Sequence, residues 1–369
     1  MSTYKVPLTT ILEIMPHGNA DSLVVYKVYG FEVIGKLGQY QIGSQVIFIP
    51  PDSIVPPEVE SKIFGKDSKI KLLKSRVRQI RLRGRPSLGL IVSPEILGII
   101  NGELEKDYAE ELNIKKYEPP VVFDSRPQGQ RTPKPLCNPL FQEYHGVENV
   151  KWWPDLFKDE DIIVQTKLHG TNARLAYLPS IPNTLKKKIL KFFGLLPKNE
   201  YVYGSNRVEL TNRSGYTGFY GKDLYGETLN KVKAFNKLKA GETIYGEIIG
   251  PGIQANYHYG HKELHFVLFD VKKLQEDGSQ VWLNPEEVEA YAKERGFDFV
   301  PVIYTGKFDK ELIDKLSTGP CDYYPQHIKE GVVVKSRYNY NDLKMKANKR
   351  ALKFINPQYL DDKSNSDVQ

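Results

Sequence analysis

Cysteine is scarce in this sequence of 369 residues, with only Cys137 and Cys321 standing far apart. Two isolated cysteines argue against a disulfide framework and a cysteine-built zinc site, and they suit a reducing compartment. Long apolar runs are also lacking, because the nearest approach to one, LGLIVSPEILGII, is interrupted by Ser93, Pro94 and Glu95 and falls short of the roughly 18 residues of a membrane helix. The N-terminus has no charged region followed by an apolar one, as a secretory signal would. We therefore expect an intracellular, cytoplasmic protein with no membrane partner.

The composition is that of a soluble globular protein with a modest basic excess. Hydrophobic residues make up 40% and charged residues 26% of the chain, and the net charge is +7. A chain of this length favours two domains. The positive charge is compatible with a polyanionic partner but does not establish one.

The first part of the chain, residues 1–118, is rich in short β-like runs separated by Gly, Pro and Asp-Ser turns. Many short strands in about 100 residues predict a small barrel or sandwich. In KSRVRQIRLRGR, a strand would place Arg81, Arg83 and Arg85 in one row. Such a row is either a solvated polar face or a surface that follows a phosphate backbone, and nucleic-acid binding is the functional hypothesis.

A proline-rich connector separates this part from the rest of the chain. We place a linker at 119–139, where prolines stand among Gly, Ser and Gln. Residues 140–357 alternate predicted strands with helices and form the second predicted domain, so the fold class is α+β. The remaining residues, 358–369, are predicted to be a polar tail.

One segment of the second domain, residues 183–200, predicts an amphipathic helix with a lysine-rich face. We expect this helix to pack on its own domain and leave the lysines in solvent. A membrane-surface helix is the alternative, and it would require Phe192 and Phe193 to be exposed.

The stretch IIVQTKLHGTNARLAYL, residues 162–178, predicts a strand, a tight turn and a second strand, with Lys167 at the turn. A surface lysine needs no such setting, whereas a nucleophilic lysine does. Its neutral amine is scarce at neutral pH unless the site is desolvated or crowded with cations. The later stretch DLKMKANKR is predicted to be a strand with Lys344 and Lys346 on one face, where they would bind a phosphate and favour the neutral amine.

Four further side chains with chemical potential lie in predicted strands or at their ends. Glu247 stands in YGEIIGPGIQ, Phe269 at the end of the apolar strand LHFVLFDV, and Glu330 and Lys335 on either side of a buried strand in KEGVVVKS. Each has a structural explanation when taken alone, and their order along the chain is what indicates function.

That order, KLHGTN, GSNR, YGEIIG, HFVLFDV, EGVVVKS and LKMK, resembles the covalent nucleotidyltransferases, namely ATP-dependent RNA and DNA ligases and capping enzymes. The Lys-x-His-Gly-x-Asn motif is similar to that of T4 RNA ligase 2-type enzymes. The resemblance implies a nucleotidyltransferase domain of ATP-grasp-like antiparallel sheets with helices. The β-rich N-terminal module, with only a short stretch after Lys346, resembles the Deinococcus-type RNA ligases, whose module is OB-like.

The resemblance also implies roles for individual residues. Lys167 would attack the α-phosphate of ATP and become adenylylated. Phe269 would stack on adenine, Glu247 would bind the ribose, and Glu330 would place Mg²⁺ or Mn²⁺. His169 and Asn172 would organise the loop, and the resemblance places His169, Lys344 and Lys346 in the catalytic set with Lys167 and Glu330. Lys335 would contact nucleic acid. The further implied contacts to ATP would be made by Gln165, Leu168, Asn172, Arg207, Lys344 and Lys346. Arg213 competes with Arg207 for the arginine role beside the sugar and phosphate.

The implied activity is ATP-dependent joining of RNA 3′-OH and 5′-phosphate ends, in nicked or broken RNA-containing duplexes, by a monomer. A DNA-preferring ligase and a capping-type guanylyltransferase remain alternatives. A nucleic-acid-binding module with an inactive transferase fold is the alternative from another class. The presence of the full set Lys167, Glu330, Lys344 and Lys346 argues against it, because a protein that only binds needs no nucleophile.

Overall fold

The computed structural model describes residues 4–65, 71–117, 137–211, 222–254, 257–345 and 347–361. These residues form two compact units. The N-terminal unit holds the described residues up to 117 together with 150–154, and the C-terminal unit holds the other described residues from 137 onward. The assignment of 150–154 to the N-terminal unit was not predicted, because the sequence analysis placed all of 140–357 in the second domain.

The N-terminal unit is built from short strands, in agreement with the predicted β-rich module. The strands are β1 (Leu8–Thr10), β2 (Glu13–Pro16), β3 (Leu23–Val28), β4 (Phe31–Lys36), β5 (Gln45–Ile49), β6 (Ser53–Ile54), β7 (Gln79–Leu82), β8 (Arg85–Leu88), β9 (Leu90–Val92) and β10 (Lys115–Lys116). Two short helices, α1 (Pro57–Phe64) and α2 (Pro94–Leu97), and a 3-10 turn at Leu73–Ser75 complete it. The strand orders are β1-β5-β9, β2-β3-β4, β7-β8 and β10-β6.

Aromatic packing closes part of this unit's core. Trp152, from the returning segment, lies 5.0 Å from Phe31, 5.7 Å from Phe48 and 5.3 Å from Tyr29, measured between ring centroids. Phe31 and Phe48 are themselves buried. Aromatic rings bury large apolar areas, so this contact is a substantial part of the core.

The predicted single strand of arginines is wrong, because the chain turns back in its middle. β7 and β8 form an antiparallel hairpin whose turn is Arg83-Gly84, both with positive φ, 50° and 86°. Arg81 pairs with Pro86 and Arg85 with Leu82, so Arg81 and Arg85 project from opposite faces. Arg81 and Arg83 are exposed, whereas Arg85 pairs with Glu32 at 3.3 Å.

The C-terminal unit contains two sheets and five helices. Its strands are β11 (Glu148–Asn149), β12 (Asp161–Thr166), β13 (Thr171–Pro179), β14 (Asn199–Ser205), β15 (Glu242–Ile249), β16 (His265–Leu274), β17 (Gln280–Trp282), β18 (Asp298–Phe299), β19 (Val302–Lys307), β20 (Gly331–Ser336) and β21 (Ala351–Ile355). The helices are α3 (Leu185–Phe192), α4 (Leu224–Lys231), α5 (Pro285–Arg295), α6 (Lys310–Leu316) and α7 (Pro357–Asp361). A short 3-10 turn lies at Ala234–Asn236, and another at Val150–Trp152 belongs to the segment assigned to the N-terminal unit.

The strands are arranged as a five-stranded sheet, β11-β21-β20-β12-β19, and a six-stranded sheet, β14-β13-β15-β16-β17 with β18 on β16. Pairing is antiparallel except at β11–β21 and β16–β18. Apolar side chains of α4 and α5 pack on one face of the six-stranded sheet. The predicted α+β class is therefore confirmed.

A buried ionic cluster on Asp270 connects the two sheets. Asp270, in β16 of the six-stranded sheet, accepts from Lys335 of β20 at 2.8 Å and from Lys349 at 2.6 Å. Tyr340 donates to the same carboxylate at 2.7 Å. The two lysines hold the pKa of Asp270 below its usual range against the opposing effect of burial. All four side chains are fully enclosed, so the cluster fixes β16 against β20.

Two further predictions about elements are corrected. The predicted tail from 358 begins too early, because α7 continues to Asp361 and Tyr359 is 2% exposed; residues 362–369 lie outside the described residues. The helix in 183–200 exists as α3, but it has no buried residue, so the expectation that it packs on its domain is wrong. Among the described residues, no helix has the length and apolar content needed to cross a membrane.

Candidate active site

The predicted order of strand, turn and strand around Lys167 is present, with β12 ending at Thr166 and β13 beginning at Thr171. The two strands do not pair as a hairpin, because β12 pairs with β19 and β20 in the five-stranded sheet and β13 pairs with β14 and β15 in the six-stranded sheet. The backbone N–H of Lys167 donates to the carbonyl of Gly331 at 3.0 Å, which ties the turn to β20. Gly170 is required for steric reasons, because a β-carbon there would overlap the carbonyl oxygen of Ile248. Gln254 also donates to the Gly170 carbonyl at 3.0 Å. The turn therefore has one fixed backbone path.

Lys167 forms an ion pair with Glu330. The distance from its Nζ to Glu330 Oε1 is 2.5 Å, with 26% of the lysine side chain and 9% of the glutamate side chain exposed. Strand register explains the encounter: β12 and β20 run antiparallel with Thr166 opposite Val332, so the residues just beyond these ends meet. The lysine thus has both a carboxylate partner and access to solvent.

His169 is enclosed by tyrosines. Its ring contacts the hydroxyl of Tyr359 at 3.1 Å through Nδ1 and packs edge-on against Tyr257 at 4.9 Å between centroids. Its backbone N–H donates to the Tyr259 hydroxyl at 2.7 Å. Burial lowers the pKa of His169 to about 4; nearby Glu330 opposes this shift and Lys167 reinforces it. A neutral ring held in this way supports the predicted role of loop organiser, which stays a prediction.

Glu247 and Asn172 are cross-strand neighbours in the six-stranded sheet. Burial raises the pKa of Glu247 to about 8; Lys167 opposes the shift and Glu330 adds to it. A β-carbon at Gly170 would lie 2.8 Å from Glu247 Cγ, so the Glu247 side chain borders the turn that holds Lys167. Phe269 is half-buried in the middle of β16 rather than at a strand end, and its ring lies 5.5 Å from that of Tyr144.

Three buried polar atoms around the turn that holds Lys167 have no hydrogen-bond partner within the described part of the chain. They are Gln165 Nε2, Asn172 Oδ1 and Glu330 Oε2. An unsatisfied buried polar atom is costly, of the order of 1–3 kcal/mol. A group of them beside Lys167 indicates a place where a polar ligand completes the hydrogen bonds.

A residue that the motif analysis missed, Lys353, lies in the same region. In β21 it stands opposite Val333, which in turn stands opposite Gln165 of β12. Residues in register across neighbouring strands share a face, and Lys167 follows Gln165 by two. The sequence carries a signal for this strand, because ALKFI is a short run of apolar residues around one lysine, a composition typical of a mostly buried strand.

The predicted strand at Lys344 and Lys346 is wrong for the residues that can be described. Leu343–Met345 form a turn, Lys344 is exposed, and its N–H donates to Asp342 at 2.9 Å. Lys346 lies outside the described residues. Lys335 is also misassigned, because a side chain 2% exposed and paired with Asp270 cannot reach a nucleic acid.

Arg207 and Leu168 were also predicted to contact the nucleotide. Arg207 is partly buried in the turn after β14, and Ser205 pairs with Ala173, so this turn lies beside the start of β13. Its competitor Arg213 lies outside the described residues. Leu168 is 5% exposed and packs with Ile249, so its side chain is part of the core.

The fold and site together are those of a nucleotidyltransferase: a lysine paired with a carboxylate beside two mainly antiparallel sheets, preceded in the chain by a small β unit. The chain belongs to the RNA ligase family, whose model matches residues 160–355. An OB-fold domain model matches residues 6–94, which confirms the predicted OB-like module.

Solved structures of Naegleria gruberi RNA ligase share the fold. The complex with PPi is 21% identical, covers 97% of this chain and 98% of its own, and superposes with a TM-score of 0.72. A point mutant of that enzyme with ATP and Mn is 20% identical, with coverages of 98% and 100% and a TM-score of 0.73. A second mutant, with AMP and Mn, is 20% identical; the match covers 98% of this chain and 99% of that chain, with a TM-score of 0.73.

Proposed function

We propose that this protein is an ATP-dependent RNA ligase that joins a 3′-OH to a 5′-phosphate through a lysyl–AMP intermediate, at nicks in duplexes whose 3′-OH strand is RNA. The observation that carries the proposal is the Lys167–Glu330 pair, surrounded by unsatisfied polar atoms of Gln165 and Asn172. Membership of the RNA ligase family and the ATP and AMP found in the Naegleria enzyme support it.

In the first step, the neutral amine of Lys167 attacks the α-phosphorus of ATP. A nitrogen–phosphorus bond forms, the bond to the pyrophosphate oxygen breaks, and the proton of the ammonium leaves before attack. Glu330, at 2.5 Å, is the group that holds the amine in place and is positioned to receive that proton. Lys353 neutralises charge on the α-phosphate, the role that the motif analysis gave to Lys344 and Lys346.

The nucleotide is held by side chains of both sheets. Phe269 stacks on the adenine, and Tyr144 supports its ring from behind. Gln165 donates its unsatisfied amide N–H to the base, and Glu247 accepts from the ribose, which agrees with their burial beside the lysine. Asn172 and Arg207, near the start of β13, contact the sugar and phosphates.

A divalent metal fits one atom of this site. Glu330 Oε2 is buried and has no hydrogen-bond partner among the described residues, with His169 Nδ1 3.8 Å away. A carboxylate oxygen is the ligand that Mg²⁺ and Mn²⁺ prefer. No cluster of three or more His, Cys, Asp or Glu ligands occurs among the described residues, so a single carboxylate with water and substrate phosphates is the expected ligand set. The metal would supply charge neutralisation on the phosphates.

The remaining steps transfer AMP to the 5′-phosphate of the RNA and then join the ends. The 5′-phosphate oxygen attacks the adenylyl phosphorus and releases Lys167; the 3′-hydroxyl then attacks the activated 5′-phosphorus and releases AMP. The OB-fold unit is the proposed RNA-binding module, with Arg81 and Arg83 exposed for phosphate contact.

The test of the first step uses ATP or GTP labelled at the α-phosphate, with Mg²⁺ or Mn²⁺, followed by denaturing electrophoresis. We expect covalent label from ATP on the wild type, none on Lys167→Ala, and normal labelling of Lys239→Ala, a matched exposed lysine. Label from GTP alone would reassign the protein to capping chemistry. No label with either metal would overturn the proposal.

The substrate is tested separately with nicked duplexes that differ only in the sugar of the 3′-OH strand. We expect sealing with RNA at that strand and weak or absent sealing with DNA. Equal sealing of both would leave the ligase activity standing and remove the RNA specificity.

A further inference from the structure

Helix α3 and the residues after it present a large apolar surface to solvent, which we call the α3 face. Its members are Leu185 (75% exposed), Ile189 (49%), Phe192 (84%), Phe193 (67%) and Leu195 (68%). The helix is well formed, because Thr184 caps its N-terminus by accepting from the Lys187 N–H at 3.2 Å. Contiguous exposed apolar side chains on a folded helix indicate an interaction site.

The α3 face is bordered by positive charge alone. Between residues 180 and 198 there is no Asp or Glu, and the segment contains Lys186, Lys187, Lys188, Lys191 and Lys198. Lys187 forms an ion pair with Glu200 at 2.5 Å, and this contact ties α3 to β14. The other lysines of the segment are exposed beside the apolar side chains.

The α3 face lies at the opposite end of β13 from the candidate active site. β13 is nine residues long: it begins at Thr171, next to the turn that holds Lys167, and ends at Pro179, just before the α3 segment. At about 3.3 Å per residue the strand separates the two by roughly 25–30 Å. The α3 face is therefore not part of the nucleotide site.

We propose that the α3 face docks the protein on an anionic lipid surface. Such a surface offers acyl chains for Phe192, Phe193 and the aliphatic residues, and negative headgroups for the lysines, which is the chemistry of interfacial helices. An RNA strand would satisfy the lysines but offers no counterpart for three aliphatic side chains. A second copy of the chain would bring like-charged lysine borders together. The proposal is independent of the proposed ligase activity.

The experiment is flotation of the full-length protein with vesicles of pure phosphatidylcholine or of phosphatidylcholine with one third phosphatidylglycerol. We expect the wild type to float with the anionic vesicles and not with the neutral ones, and to be released by salt. The double variant Phe192→Glu/Phe193→Glu should bind at least about tenfold more weakly, because it removes apolar contact and adds repulsion.

Matched controls separate the α3 face from the general basic charge. Ile100→Glu changes an exposed apolar residue of the N-terminal unit, 82% exposed, and should bind as the wild type does. Lys188→Glu/Lys191→Glu should weaken binding, whereas Lys239→Glu should not. Label transfer from ATP should be unchanged in every one of these variants.

The proposal is overturned if wild type fails to float with anionic vesicles, or if the α3 variants float as well as wild type. It is also overturned if the phenylalanine pair changes RNA affinity or oligomeric state while vesicle binding stays absent, because the α3 face would then bind RNA or a second copy. Loss of label transfer in the α3 variants would contradict the separation of the two sites.

Discussion

At the scale of single residues, the structure favours Lys353 over Lys344 as the candidate ligand of the α-phosphate. Lys353 lies in β21 on the face shared with Gln165, whereas Lys344 lies in an exposed turn. We expect Lys353→Ala to slow label transfer from ATP by about 100-fold or more, the cost of removing one group that stabilises transition-state charge. Lys344→Ala should stay within about threefold of wild type, measured in single turnover. The reverse order of effects would restore the motif-based assignment.

Glu247 makes the stability of the ligand-free protein depend on pH. Burial raises its pKa to about 8 from the usual 4.5, so between these values the folded state holds a proton that the unfolded state has released. The free energy of unfolding therefore falls as pH rises through this window. Glu247→Gln removes the loss, so its melting temperature should exceed that of wild type at pH 8 and converge with it near pH 4.5.

The control for this measurement is Glu289→Gln, which changes an exposed carboxylate on α5. It should follow the wild-type melting temperature at every pH. A Glu247→Gln difference that is constant across the pH range would contradict the buried-carboxyl explanation. Since Glu247 is also proposed to bind the ribose, the stabilised variant should label poorly from ATP.

At the scale of elements, α7 has a functional position that its location near the end of the sequence does not suggest. Tyr359 contacts the His169 ring through its hydroxyl at 3.1 Å. Tyr359→Phe keeps the packing and removes that contact, so we expect label transfer to fall about three- to tenfold, the equivalent of one ordinary hydrogen bond, with little change in melting temperature. Tyr338→Phe, 62% exposed, is the matched control. An unchanged rate would show that packing alone positions His169.

The strands around Lys167 were predictable because their sequence patterns are local. The apolar runs on both sides of KLHG and the strand GVVVKS became β12, β13 and β20 as expected. The arginine segment failed because a two-residue turn at Arg83-Gly84 interrupts an alternation that reads as one strand. The predicted strand at LKMK is wrong because this stretch alternates as a strand does, whereas the strand that pairs with β20 is ALKFI. Which stretch pairs with β20 depends on tertiary contacts rather than on local alternation.

The exposure of α3 and the burial of Lys335 could not be read from the sequence for a different reason. A helix pattern predicts an apolar face but not what covers it, and α3 has no buried residue. Lys335 ends a strand in a motif that suggests ligand contact, but Asp270 and Lys349 come from distant segments to enclose it. Both properties depend on tertiary packing.

At the scale of the whole molecule, nucleotide chemistry and RNA affinity are predicted to separate by unit. All proposed ATP contacts belong to the C-terminal unit, whereas Arg81 and Arg83 belong to the N-terminal unit. We expect Arg81→Glu/Arg83→Glu to leave label transfer from ATP unchanged, and to reduce nick sealing at least about tenfold at moderate salt because phosphate contacts are lost.

The control for this prediction is Lys115→Glu, an exposed lysine of the N-terminal unit away from the β7–β8 hairpin. It should seal nicks as the wild type does, and only the arginine variant should show a shallower dependence of sealing on salt. Loss of label transfer in the arginine variant would contradict the division of labour, and unchanged sealing would remove the hairpin from the RNA-binding surface.

The return of residues 150–154 to the N-terminal unit has an evolutionary and practical consequence. Because Trp152 fills the aromatic group around Phe31 and Phe48, a gene fragment that ends at 117 would encode an OB-fold lacking part of its own core. Trp152 is partly buried, so its loss costs less than the roughly 3–5 kcal/mol of a fully buried tryptophan, but it still removes a sizeable share of a small domain's stability. The two units are therefore not interchangeable cassettes: recombination that swaps the N-terminal module must carry this distant tryptophan with it or supply a replacement.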